Sequence, residues 1–324
     1  MAPCRAARLD ARAGDRTAAV NPVAPSGEQF EIAHGEQRAT IVEVGAGVRA
    51  YEHGQRPVLE SYPLHAMCDG AHGAPLIPWP NRLADGRYRF DGSDYQVALS
   101  EPDKHNAIHG FTRWRPWRAL AHEPGRVLMG TRLYPLSGYP FALELQIDYR
   151  LDDGGLSVAT TATNIGEHAC PYACGQHPYL SPGAGPIDAC TLELAVHTRI
   201  LTDAERQLPA GSEPVAGTPF DFRTPRPLGE QRIDCAFTGL ERDAAGRATA
   251  RLTGADGRTV ELWLDESYPI IQLYTGDTLA PARRRSGLAV EPMSSPPNAF
   301  ASGDGLTRLE PGEAARSSWG VRLT

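Results

Sequence analysis

Helix-forming segments, membrane spans and basic patches are what this 324-residue chain lacks. No stretch approaches the ~18 consecutive apolar residues of a membrane span. No window of about a dozen residues keeps apolar positions at i, i+3, i+4 and i+7 free of glycine and proline. Short helices have room only at 202–208 and near 61–68. Acidic residues outnumber basic ones, 39 to 32, for a net charge of −7. That surface gives no electrostatic pull toward nucleic acid. Six cysteines are too sparse for a disulfide framework and fit a reducing cytoplasm. Also missing are a G-x-S-x-G nucleophile elbow, a P-loop, an H-E-x-x-H helix and a G-x-G-x-x-G turn opening a helix. The first 26 residues lack the apolar stretch of a secretory signal, and Asp10 and Asp15 argue against an organelle transit peptide. They read as a flexible tail, with 27–324 as a single domain.

What the chain has in excess is turn chemistry, with 33 glycines and 28 prolines. Both residues break helices and punctuate short strands. Between them lie period-2 runs. Phe141, Leu143, Leu145, Ile147, Tyr149 and Leu151 alternate with more polar neighbours, and Asp152-Asp-Gly-Gly155 turns the chain toward Leu156, Val158 and Ala162. Leu192, Leu194, Val196 and Ile200 form another run. Arg247–Leu252 and Thr259–Leu264 flank a Gly254-Ala-Asp-Gly257 hairpin signal, and Trp319, Val321 and Leu323 close the series. The expected fold class is all-β, a large antiparallel β-sandwich or barrel.

Four segments set polar groups in turn-rich, apolar surroundings. In Pro75-Leu-Ile-Pro-Trp-Pro-Asn-Arg82 the prolines stiffen the backbone ahead of Asn81 and Arg82, as a substrate clamp requires. In Lys104-His-Asn-Ala-Ile-His-Gly-Phe-Thr-Arg-Trp-Arg-Pro-Trp117, His105 and His109 offer hydroxyl-binding imidazoles, and Trp114 and Trp117 offer flat apolar faces for a sugar ring. In Cys170-Pro-Tyr-Ala-Cys-Gly-Gln-His-Pro-Tyr179, His177 is suited to proton donation near neutral pH, and Gly175 permits close approach of another group. Zinc on Cys170, Cys174 and His177 is disfavoured, because the spacing is not a standard zinc pattern and His177 has the opposite strand parity. In Leu288-Ala-Val-Glu-Pro-Met293, Glu291 ends an apolar stretch, where a carboxyl's pKa rises and makes it a better base.

Taken in order, these segments resemble the aldose 1-epimerase (galactose mutarotase) family. The resemblance rests on Asn81-Arg82-Leu83 with Gly86-Arg-Tyr-Arg-Phe-Asp-Gly92, Asn106-Ala-Ile-His-Gly110, Gly175-Gln-His-Pro-Tyr179, Ile233-Asp-Cys-Ala-Phe237, and Glu291-Pro-Met with Pro297-Asn-Ala-Phe300, spanning roughly 29–324. It implies a mutarotase-type supersandwich and an isomerase that needs no metal or cofactor. His177 matches the family's catalytic acid and Glu291 its base. Arg82, His109 and Asp234 match its sugar-binding positions, and Asn81 goes with them. Asp234 stands out only through the resemblance. Cys235 departs from the histidine common at that point, and the tail has no counterpart.

The implied chemistry interconverts α and β anomers of an aldose. Glu291 takes the proton of the C1 hydroxyl, His177 gives one to the ring oxygen from the opposite side of the anomeric centre, and the opened ring recloses after rotation about C1–C2. Other readings are a non-catalytic sugar-binding protein, a glycoside hydrolase pairing Asp234 with Glu291, and a metal hydrolase using the histidines. The run Arg283-Arg-Arg285 reads as a solvated loop but leaves open a hexose-6-phosphate 1-epimerase. The sequence does not name the sugar.

Overall fold

A computed structural model describes residues 23–183 and 185–324. Most of the segment read as a tail lies outside them. Ser26 is already docked, its carbonyl accepting from the Val44 N–H at 2.9 Å. Among the described residues no helix is long and apolar enough to cross a membrane.

Two antiparallel sheets, of 12 and 9 strands, make up the body of the protein. The alternating run at 141–151 forms the strand Leu143–Asp152, whose residues are alternately buried and more exposed. It pairs in continuous register with Gly155–Asn164, and that strand pairs with Ala314–Leu323. The hairpin signal at 254–257 joins Ala248–Thr253 to Thr259–Leu264 in the same 9-stranded sheet. The run at 192–200 is not one strand. Thr191–Leu194 belongs to the 9-stranded sheet, whereas Thr198–Thr202 belongs to the 12-stranded one, so the chain changes sheets in between. Periodicity alone cannot register such a crossing, because Val196 is buried where the chain passes over. Neither 61–68 nor 202–208 is helical, and both are turns or extended. The only α-helix among the described residues is one turn, Ala299–Ser302.

One contiguous apolar cluster joins the sheets. Ile32, Ile41, Leu273 and Val290 enter it from the 12-stranded sheet, and Leu145, Ile147, Tyr149 and Trp319 from the 9-stranded one. Five thiols, Cys68, Cys170, Cys174, Cys190 and Cys235, are unpaired.

Four neighbouring strands of the 12-stranded sheet position the polar residues of interest. They run in the order Tyr179–Leu180, Leu288–Met293, Ile270–Tyr274 and Asp234–Thr238. Leu288, Val290, Ile271, Leu273, Cys235 and Phe237 point into the core between the sheets. Side chains alternate along a strand, so Glu291, Gln272 and Asp234 share the opposite face. Both faces are covered there, and Leu288–Met293 is buried at all six positions. This explains why Glu291 sits in a near-continuous apolar run rather than an alternating one. Cys235 faces the core, so its departure from the common histidine does not reach the other face.

Candidate active site

Over that second face, loops from the first third of the chain close a cavity of about 280 Å³. It lies near the low end of the ~300–1,000 Å³ usual for small-ligand pockets. Asn81, Arg82, His109, His177, Asp234 and Glu291, the six residues given a catalytic or sugar-binding role by the resemblance, all line it. A larger hollow of about 640 Å³ lies over Trp117, Leu120 and Tyr134, lined by none of these six.

His177 sits between the short strands Gly175–Gln176 and Tyr179–Leu180, both paired to Leu288–Met293. Gly175 is required there, since a Cβ would stand 2.8 Å from Pro80 Cβ and 3.0 Å from the Pro292 carbonyl. The His177 N–H donates to the Ala74 carbonyl at 3.1 Å, and the ring stacks on Tyr179 at 5.1 Å. Its Nε2 lies 3.3 Å from Glu291 Oε1. The two residues are 5% and 2% exposed. His177 Nδ1 and Glu291 Oε2 are buried without a protein partner. Burial pushes His177 down to about 3, and it pushes Glu291 well above the usual carboxylate range, helped by Asp234 and opposed by Arg82. Burial therefore favours the uncharged form of each group.

A 3.3 Å gap leaves no room for a carbon atom between the two groups. They stand side by side on one wall of the cavity rather than on opposite sides of it, as the sequence reading had it. Both reacting oxygens of a hemiacetal are bonded to C1, so adjacent groups can serve adjacent oxygens.

His109 and Asn81 are built as a unit. Both have left-handed backbones, φ 64° and 55°. The Asn81 N–H donates to His109 Nδ1 at 3.1 Å, and the His109 N–H donates to the Asn81 carbonyl at 3.0 Å. Nδ1 is thereby an acceptor, which leaves Nε2–H as the donor of a neutral ring. Burial holds this imidazole well below the ordinary histidine pKa. The Asn81 side chain is occupied locally, its Oδ1 accepting from the Arg82 N–H at 2.8 Å. Asn81 thus shapes the turn beneath the pocket.

Arg82 is clamped by Glu101, with Nε to Oε2 at 2.8 Å and Nη2 to Oε1 at 3.0 Å. Burial works to raise the Glu101 pKa, but hydrogen bonds from Arg82 outweigh it and hold the carboxyl below the usual range. Asp234 accepts from Gln272 Nε2 at one oxygen and from Gln207 Nε2 at the other, each at 2.8 Å.

Other sequence signals lie outside the cavity. Trp117 is 1% exposed in the core and Trp114 is 51% exposed, and neither lines the cavity. Tyr274 is the aromatic residue that does. His105 is exposed on a turn and also lies outside it. Cys170 and Cys174 point into the core, Cys174 Sγ lying 3.4 Å from Ser317 Oγ, whereas His177 points into the cavity. Arg283 and Arg285 are not a solvated anion site. Arg283 pairs with Asp69 at 2.8 Å, and Arg285 is buried among Asp188, Asp277 and two backbone carbonyls.

Glu101, Lys104, Arg113, Gln207 and Gln272 line the cavity without having been singled out. Gln272 left a signal, as the one polar residue in the apolar strand Ile270–Tyr274. The others sit on loops whose folding together local sequence does not disclose.

The aldose 1-epimerase family model matches residues 28–321. The chain belongs to the aldose 1-epimerase family. It is 35% identical over 293 residues to the uncharacterised Escherichia coli protein YihR, covering 90% of this chain and 92% of that one. It is 29% identical over 308 residues to human galactose mutarotase, covering 86% and 87%. Among solved structures, the GalM/aldose epimerase homologue from C. elegans superposes with a TM-score of 0.81 at 19% identity, over 92% of this chain and 98% of that one. The all-β, mutarotase-like fold expected from the sequence is thereby established.

Proposed function

We propose that this protein is an aldose 1-epimerase, with His177 and Glu291 as the proton-transfer pair. The observation that carries the reading is their buried 3.3 Å contact at the wall of a cavity rich in hydrogen-bonding groups. Ring opening needs a base at the C1 hydroxyl and an acid at the ring oxygen O5. Ionised Glu291 takes the O1 proton and protonated His177 gives one to O5 while the C1–O5 bond breaks. The products are the open aldehyde, a carboxylic acid and a neutral imidazole. That last pair is the one burial favours in the resting protein. Ring-opening and ring-closing forms thus differ by one proton moved across the pair. After rotation about C1–C2 the steps run backwards and close the other anomer.

Arg82, His109 Nε2 and Asp234 hold the remaining oxygens while C1 turns, and so supply orientation. Arg82 also draws Glu291 toward its ionised form. His177→Asn and Glu291→Gln should each slow anomer exchange by ~10²–10⁴-fold, measured by polarimetry or NMR exchange. Near-full rate in either variant removes the assignment. Binding of a sugar with no acceleration by the unmodified protein makes this a binding protein instead.

A further inference from the structure

We propose that Tyr179 and His72 are positioning residues for His177, fixing the plane of the ring that hands its proton to O5. The inference rests on the role given to His177 above. Proton transfer demands an aligned ring, and a histidine is ordinarily aligned by a hydrogen bond on the nitrogen facing away from the reaction. Among the described residues nothing does this for His177. Its Nδ1 is buried without a protein partner, and its Nε2 is turned to Glu291. What touches the ring instead is aromatic. Tyr179 stacks on it, ring centres 5.1 Å apart and planes within 21°, and His109 meets it edge-on at 5.5 Å.

Tyr179 is itself held at three points. The His72 ring lies parallel to it, 3.7 Å away and within 7°. Its hydroxyl donates to the Gly70 carbonyl at 2.7 Å, and its own carbonyl accepts from the Glu60 N–H at 2.8 Å. His72 is buried, and both of its ring nitrogens face acceptors. Nδ1 lies 2.8 Å from the Asp69 carbonyl oxygen and Nε2 lies 2.6 Å from Glu60 Oε2. Burial works to raise the Glu60 pKa, but the hydrogen bond from His72 helps to outweigh it and hold the group below the usual range, as a carboxylate. Each nitrogen can use its acceptor only by carrying a proton, so the geometry makes His72 an imidazolium. A cation over a tyrosine face is attracted to the ring, and a buried cation leaves its carboxylate only at high cost. An ion pair thus pins the stack. The same loop takes both backbone groups of His177. The Gly73 N–H donates to its carbonyl at 2.9 Å, and the Ala74 carbonyl accepts from its N–H. Neither Tyr179 nor His72 lines the cavity, so both act through His177 and not on a ligand.

The test is kcat and KM for anomer exchange of free and 6-phosphorylated glucose and galactose, with proton–nitrogen NMR of the histidine rings alongside. Tyr179→Leu removes the flat face and keeps an apolar side chain. It should lower kcat by roughly 10- to 100-fold and leave KM within about twofold. Tyr179→Phe keeps the face and loses the hydrogen bond to Gly70, so it should melt at a lower temperature yet hold kcat to within about threefold. The charge of His72, after burial, keeps the His177 pKa down, so removing that charge alone would ease protonation and raise kcat. His72→Gln should instead lower kcat about tenfold, because alignment is lost. Near-full kcat in Tyr179→Leu overturns the proposal and leaves the epimerase reading intact. So does a phenylalanine variant as slow as the leucine one, a loss shared equally between kcat and KM, or a rise in His72→Gln. If Tyr179→Leu does not fold, His72→Gln decides. If the unmodified protein accelerates none of these sugars, the epimerase reading fails and the spectra decide the positioning alone. A His177 signal that broadens or splits in Tyr179→Leu or His72→Gln supports it, and an unchanged signal in both refutes it.

Discussion

Glu101 offers the sharpest test of how the pocket is held in shape, because it takes no part in the proposed proton transfers. Glu101→Gln keeps the size of the side chain and removes its charge. The amide can accept from one Arg82 nitrogen, but its NH₂ then faces the other. One of two charge-assisted hydrogen bonds, at 2.8 and 3.0 Å, is lost. A hydrogen bond to a charged group contributes about 1.5–3 kcal/mol. The pair sits at the cavity, where water can replace part of the loss, so about 2 kcal/mol is expected. For a domain this size that lowers the melting temperature by roughly 3–6 °C. Arg82 also loses its fixed pose, so KM should rise about tenfold, equivalent to ~1.4 kcal/mol, with a smaller change in kcat. The pH dependence has a definite sign. The Glu101 pKa is depressed in the folded protein. Its stabilisation is complete above the ordinary glutamate pKa of ~4.3 and disappears as pH falls through the lower folded value. The difference in melting temperature between the two proteins should therefore be full at pH 7 and shrink on acidification below about pH 4. A variant that melts within about 1 °C of the original at pH 7, with unchanged KM, refutes the clamp.

The left-handed turn at Asn81 should show itself in an unusual order of substitutions. Asn81→Gly loses the hydrogen bond that Oδ1 accepts from the Arg82 N–H but tolerates φ 55°, at about 1 kcal/mol, whereas Asn81→Ala adds ~1–2 kcal/mol of backbone strain. Denaturant melts that rank alanine at or above glycine would contradict the turn. The two tryptophans of the same segment should separate cleanly. Trp117→Ala should cost ~3–5 kcal/mol by emptying a core site, and Trp114→Ala should stay within about 0.5 kcal/mol. Comparable losses in chemical denaturation would mean that their environments are not as described.

Much of the fold was legible in local pattern. The alternation at 143–151 and the turn at 152–155 locate a hairpin because one face must be buried and glycine relieves the turn. The helical readings at 61–68 and 202–208 failed because composition permits helices there without requiring them. The crossing at 195–197 was invisible because a buried residue scores alike in either sheet. At the site, His177 and Glu291 carried a local sign, namely polar groups bracketed by proline and apolar residues. Asp234 was found through resemblance alone, since a carboxylate on a strand edge has many ordinary explanations. The tryptophans misled because an aromatic suits a core and a sugar equally well, and only burial tells which. Glu101, Lys104 and Arg113 mark where sequence runs out. Their meaning lies in which carboxylate each cation meets, and that is settled by loops about 20 residues apart in the chain coming to rest on one another.

The strands beneath the cavity serve two masters at once. Val290 and Glu291 are successive residues, yet one fills the core and the other faces the cavity. A one-residue slip of Leu288–Met293 against its neighbours would offer a valine to the cavity and bury a carboxyl in oil. Pairing register here acts as a reading frame. Insertions and deletions can accumulate in the covering loops, where they reshape the cavity, but within these four strands a single inserted residue would disrupt the cavity wall and the core together.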